Sequence, residues 1–364
     1  SGTLGLTRDR LHQLLQDASF NLYSPKKVDF YGDYLKNQRW AGIKTRALNR
    51  LYLALMKPLE NDLRGCGRLV VVPDGKLHYL PFEMLVDRIT PDGGVRFLLE
   101  RFEISYRPYA GIAGLAAPTD SRTASLRNVL LIGDPTFSRQ QEQQNDGRTV
   151  PISHLPYSGE EVREINSLIP DCRLFVEQDA TETNFKRYAP RFRVLHPSTH
   201  NYLDDRQPFY SRLVFSPDPS RGQDGSLYTY EIFNMSVNAD LVVLSGCETG
   251  LGLLSRGEGI VGLSRAFMYA GASSLVVSLW PVGDRSTAGF MAEFYRNLWR
   301  GEGKAEALRQ AKRMMIRDPL KRDPFFWAPF ILLGDAGPLP LNRRPWYAAE
   351  WVWLVAVLSL AAFG

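Results

Sequence analysis

Five short, almost wholly apolar runs recur through the second half of the chain, in "NVLLIGDP" (128–135), "FRVLHPSTH" (192–200), "ADLVVLSG" (239–246), "SSLVVSLW" (273–280) and "FFWAPFILLGD" (325–335). Between them lie segments with helical spacing: "GEEVREINSLIP" (159–170), "EGIVGLSRAFMYAG" (258–271) stopped by Gly271, "STAGFMAEFYRNLWRG" (286–301) and "KAEALRQAKRMMIR" (304–317). A strand apolar on both faces must be covered on both, and strands that alternate with helices form parallel crossovers. The chain is therefore an α/β protein, with a mostly parallel sheet and helices on both faces. "RLVFS" adds a short edge strand, "GSLYTYEIFNM" leads into the run at 239–246, and "FFWAPFILLGD" closes the sheet.

The first third follows a different pattern. Residues 1–60 read as helical, with apolar helical spacing in "RALNRLYLALMKPLEND". "RLVVVPDGKLHYLPFEML" (68–85) reads as a strand, a Pro-Asp-Gly turn and a second extended stretch, and "RFLLERFEISYRP" (96–108) as a further strand or strand pair. The small, polar stretch "AGIAGLAAPTDSRTAS" is a connector. Three parts are expected: an N-terminal helical and β part (1–118), an α/β core (126–337) and an apolar tail (343–364).

The tail "WYAAEWVWLVAVLSLAAFG" (346–364) follows Arg343 and Arg344 and carries a Trp cluster that suits a membrane interface, with the basic side cytoplasmic. Too short from 351 to span a bilayer alone, it reads as a membrane segment cut short, and a docked or disordered terminal helix is the other reading. The chain opens on Ser-Gly without an initiator Met, as a piece of a longer protein would, and no signal peptide is visible. Net charge is +5 with basic residues scattered among acids, so no nucleic-acid contact is expected. Three cysteines (Cys66, Cys172, Cys247) lie far apart, which argues against a disulfide framework or a paired-cysteine metal site and for a reducing, cytoplasmic setting, at the membrane face if the tail engages it.

The chemistry gathers at strand ends. Cys247 follows one apolar run and His200 another. Neighbouring parallel strands would bring both to one sheet edge, where reactive groups of such sheets collect. An imidazole beside a thiol favours the nucleophilic thiolate. The plain alternative is that Cys247 is a small buried hydrophobe, and that His12, His78, His154 and His196 are packed or surface residues. His196 and His200 share a strand spacing, but no further ligand completes a metal set.

"ADLVVLSGCETGLG", "GEGIVGLSRAFMYAGASSLVVSLWPVGDRSTAGFMAEFYRNL" and "KAEALRQAK", preceded by "LVVVPDGKLHYLPFEML" and "RFLLERFEISYRP", occur in one order. Over roughly residues 45–336 the chain resembles the CHAT domain, a bacterial, clan CD relative of the caspases and separases. The resemblance implies a caspase-like fold and a Cys–His endopeptidase that needs no metal or organic cofactor. Cys247 matches the nucleophile and His200 the general base. The oxyanion hole would use the backbone amides of Cys247 and Asn201, with Gly246 shaping the turn. Asn201 stands where the family usually has glycine, which makes a catalytically impaired interaction module the alternative. Asp284, in "LWPVGDRST", matches an acid associated in separases with arginine before the cut, and is otherwise a helix cap. The resemblance further implies a protein substrate and a sensor or TPR-type regulatory module, N-terminal to the domain or acting in trans.

Overall fold

A computed structural model describes residues 10–11, 13–15, 39–107, 126–137, 141–143, 149–151, 155–204, 207–246, 258–280 and 284–342, a few of them by backbone alone. The expected tail (343–364), the connector before residue 126 and Cys247 lie outside the described residues.

In chain order the elements are α1 (Arg39–Leu55), β1 (Arg68–Val71), β2 (Val86–Ile89), β3 (Val95–Phe97), β4 (Glu103–Tyr106), β5 (Arg127–Pro135), β6 (Gln141–Gln143), β7 (Thr149–Pro151), α2 (Pro156–Leu168), β8 (Cys172–Glu177), α3 (Glu182–Tyr188), β9 (Phe192–Ser198), β10 (Asn201–Tyr202), β11 (Arg212–Val214), β12 (Ser226–Tyr228), α4 (Thr229–Ile232), β13 (Leu241–Leu244), α5 (Glu258–Tyr269), β14 (Ser274–Ser278), α6 (Asp284–Arg300), α7 (Lys304–Arg317), α8 (Pro324–Trp327) and β15 (Phe330–Gly334).

Among the described residues the largest sheet has eight strands in the order β1-β4-β15-β14-β13-β9-β5-β8. Every junction is parallel except β14–β15, so β14, β13, β9, β5 and β8 all end at one edge. The apolar runs are its centre: all of β9, β13 and β14 is buried. Helix α2 runs from β5 outward to β8, whereas α3 and α5 return the chain the other way along the strand order. Right-handed crossovers put α3 and α5 on the face opposite α2. There α3 and α5 meet through Phe185 against Phe267, while α2, α6 and α7 pack side by side. The expected mostly parallel α/β architecture is the one observed.

Three local expectations change. The segment after Pro73-Asp74 is not extended but coils into two short 3-10 turns, 75–79 and 82–84, because Gly75 takes a positive φ of 52° and Leu80, Phe82 and Met84 all turn inward. The "FILLG" run does not end the sheet: β15 lies inside it, with β4 and β1 beyond. β8 and α3 occupy 172–188, where the sequence pattern assigned nothing; β8 is an edge strand buried at only one of its six positions, so it lacks the continuous apolar signature of its neighbours.

Candidate active site

β9 and β13 are adjacent and parallel, with Leu241 opposite Val194 and Val242 opposite Leu195. The two runs that precede Cys247 and His200 therefore finish side by side. Just past them, Gly246 lies against Thr199 so closely that a Cβ at Gly246 would collide with the Thr199 carbonyl oxygen. Glycine is required by this approach of one backbone to another. The Asn201 side-chain amide donates to the Gly246 carbonyl. The residue before Cys247 is thus held between the residues on either side of His200.

His200 ends β9's extension and opens a three-stranded antiparallel sheet, β10-β11-β12. The Val214 N–H donates to the His200 carbonyl at 3.0 Å, and the Thr199 hydroxyl donates to the Val214 carbonyl. His200 and Val214 thus form a hydrogen-bonded pair of the antiparallel ladder. The next pair, Asn201 and Leu213, is then a non-hydrogen-bonded one, and the Asn201 N–H points away from β11. The His200 ring is fully buried, 5.2 Å from Phe137 and stacked 6.1 Å from Tyr202 at 24°. Asn201 is buried too, and its Oδ1 has no hydrogen-bond partner among the described residues.

Beneath these strand ends lies a polar cluster that sequence reasoning did not find. His196 Nδ1 is 2.8 Å from the Tyr295 hydroxyl and its Nε2 is 2.6 Å from Glu161 Oε1. The Ser245 hydroxyl donates to the same Glu161 oxygen at 2.7 Å, and lies 3.2 Å from His196 Nε2 and 3.4 Å from Ser198 Oγ. All five side chains are buried. Burial, and then the nearby Cys172 and Glu161, push the Tyr295 phenol well above its ordinary pKa, which keeps it a donor to Nδ1. His196 is the packed histidine expected, but its partners come from α2 and α6, far away in sequence. α2 can approach closely because β5 presents Gly133 beneath it, where a Cβ would meet Val162 and the Ser158 carbonyl, and because the Asp134 N–H donates to Ser158 Oγ at 2.8 Å. His196 and His200 face different surroundings and share no partner among these contacts. Asp284 is the first residue of α6; its side chain, like all of Cys247, lies outside what is described.

Fold and site together define an α/β protein whose chemistry-bearing residues collect past the ends of parallel strands. Among known proteins, the CHAT domain family model matches residues 45–335, and the chain belongs to that family. It is 24% identical over 333 residues to Tetratricopeptide repeat protein 28 of Mus musculus, and 24% identical over 335 residues to the protein of that name in Homo sapiens. These matches cover 79% of this chain but only 13% of the relatives' length. Among solved structures it is similar to the Arg-specific cysteine proteinase gingipain R (10% identity, TM-score 0.44, covering 85% of this chain and 76% of that one). It is also similar to a chain of the Saccharomyces cerevisiae separase–securin complex (13% identity, TM-score 0.45, covering 91% and 22%).

Among the described residues no helix is long and apolar enough to cross a membrane.

Proposed function

We propose that this chain is a cysteine endopeptidase that cleaves a protein partner with a Cys247–His200 dyad. The observation that carries the proposal is the meeting of β9 and β13, which sets Gly246 against Thr199, each one residue before a dyad member. In this reading His200 takes the thiol proton and Cys247 attacks the scissile carbonyl. The backbone amides of Cys247 and Asn201 hold the developing oxyanion, with Gly246 shaping the turn; each such donor contributes about 3 kcal/mol to the transition state. The Asn201 N–H, turned away from β11, is the one the ladder leaves for this task. His200 then protonates the leaving amine, and a thioester remains. Water, giving its proton to His200, hydrolyses it and restores the thiol.

Burial of His200 between Phe137 and Tyr202 supports a latent enzyme, in which the imidazole must be uncovered before substrate reaches it. A sensor module would supply that change, and tetratricopeptide repeats, named in the mammalian relatives, are the candidate for it. Asp284 would select arginine or lysine before the cut by pairing with the cation.

The test is digestion of a proteome-derived peptide library, with cut sites read by mass spectrometry. Cleavage by the wild type, lost in Cys247→Ala and His200→Ala and clustered after Arg and Lys, is expected. Equal cutting after apolar residues removes the role of Asp284. No cutting by the full-length protein under any activating partner, or undiminished cutting by Cys247→Ala, overturns the enzyme. A second reading, a binding module without catalysis, is favoured by one observation: Asn201 fills the space that glycine usually leaves beside Gly246.

A further inference from the structure

The Glu161–His196–Ser245 cluster sits at the centre of a sheet where apolar side chains would pack at lower cost. A buried carboxylate, imidazole, phenol and two hydroxyls lose hydration, and only a fully satisfied network offsets that loss. This one is satisfied in sequence: Tyr295 donates to His196 Nδ1, His196 Nε2–H donates to Glu161 Oε1, and Ser245 donates to the same oxygen. What hydrogen bonds supply that packing does not is direction. They fix the rotation of each side chain and, through it, the strand end that carries it.

The sequence positions give that direction a purpose. Ser245 stands two residues before Cys247, and Ser198 two before His200. The two hydroxyls face one another at 3.4 Å across the β9–β13 junction. Each dyad residue thus follows, at the same interval, a serine of this junction, and Ser245 ties the junction to one anchor. The anchor is Glu161, on α2, with His196 clamped between it and Tyr295 on α6.

We propose that Ser245, Glu161 and His196 are positioning residues: from the back of the sheet they set the relative placement of the two strand ends that bear the dyad. This rests on the cysteine-peptidase reading. None of the three touches substrate; they act through the backbone of β9 and β13.

The test uses the full chain and iodoacetamide, with the alkylation rate of Cys247 followed by peptide mass spectrometry across pH and exposed Cys66 as the internal reference. The wild type should alkylate Cys247 on an acid-shifted profile that His200→Ala abolishes. Ser245→Ala and Glu161→Gln should each move the profile toward that of His200→Ala, slowing alkylation near pH 6.5 by about tenfold or more as the thiolate fraction falls toward that of an ordinary thiol. Ser245→Thr, which keeps the hydroxyl, should retain the wild-type profile. A cluster that only stabilises the fold would lower the melting temperature and leave the profile in place; that outcome overturns the inference while the dyad stands. If Ser245→Ala does not fold, Glu161→Gln and Tyr295→Phe decide on the same readout. A wild-type profile identical to that of His200→Ala overturns the dyad itself, and the positioning role with it.

Discussion

At the scale of single residues, the site is set by what side chains can and cannot occupy. Asn201 reaches the Gly246 carbonyl with its amide N–H and leaves Oδ1 without a partner among the described residues. Asn201→Ala removes one hydrogen bond and one unsatisfied acceptor together, so a loss of about 1 kcal/mol in urea unfolding is expected. Asn201→Asp is nearly isosteric but turns a carboxylate oxygen toward a carbonyl oxygen in a buried place. It should lose more than about 2 kcal/mol and slow Cys247 alkylation. Equal losses in the two variants would contradict the hydrogen bond. The strand-end positions of His200 and Gly246 were legible from sequence because each closes an apolar run. Glu161 was not: on an amphipathic helix a glutamate reads as a solvent-face residue. Nothing in its local pattern reveals that β9 and β13 bring His196 and Ser245 to it.

At the scale of elements, one buried ion pair ties the first third of the chain to the core. Lys312 on α7 meets Glu83 at 2.7 Å, and both side chains are almost wholly inaccessible. Tyr106 on β4 donates to the other carboxylate oxygen of Glu83 and accepts from the Phe82 N–H at 2.7 Å. Burial pushes the Lys312 amine below its ordinary pKa and, with Glu83 adding to it, the Tyr106 phenol well above. Lys312→Met should destabilise by about 3–5 kcal/mol because it strands a buried carboxylate. Adding Glu83→Gln, which keeps an acceptor for Tyr106, should recover part of that loss; no recovery in thermal unfolding would show that the cation acts by packing alone. The elements built from continuous apolar runs, β5, β9, β13 and β14, were readable because both faces are buried. The 3-10 turns at 75–84 were not, since alternating Leu, Tyr, Phe and Met residues read as an extended stretch until Gly75 and the inward-turned side chains are seen in place.

At the scale of the whole molecule, two buried phenols and one half-buried thiol make the fold sensitive to alkali. Burial, reinforced by Asp171, raises the Cys172 thiol to about 12, and Tyr106 and Tyr295 stand well above their ordinary range. Each keeps its proton in the folded state at a pH where the unfolded chain has released it. Their contribution is therefore complete below an unfolded thiol's pKa of about 8.5 and is lost as pH rises, for Cys172 between about 8.5 and 12. The urea midpoint should fall between pH 8 and pH 10.5, and Cys172→Ser, which has no thiol to titrate, should flatten the fall. An unchanged slope would remove Cys172 as a cause. The same thiol should resist alkylation at pH 8, leaving exposed Cys66 as the reference for Cys247.

The most direct measurement is intact mass after exposure of the protein to a peptidyl acyloxymethyl ketone with arginine at its reactive end. The account predicts a single stoichiometric adduct mapped to Cys247 in the wild type once its activating partner is bound, and none in His200→Ala under the same conditions. An adduct on Cys247 that forms equally fast without the imidazole, or one that forms on Cys66 alone, would contradict the pairing of the two strand ends as a catalytic site.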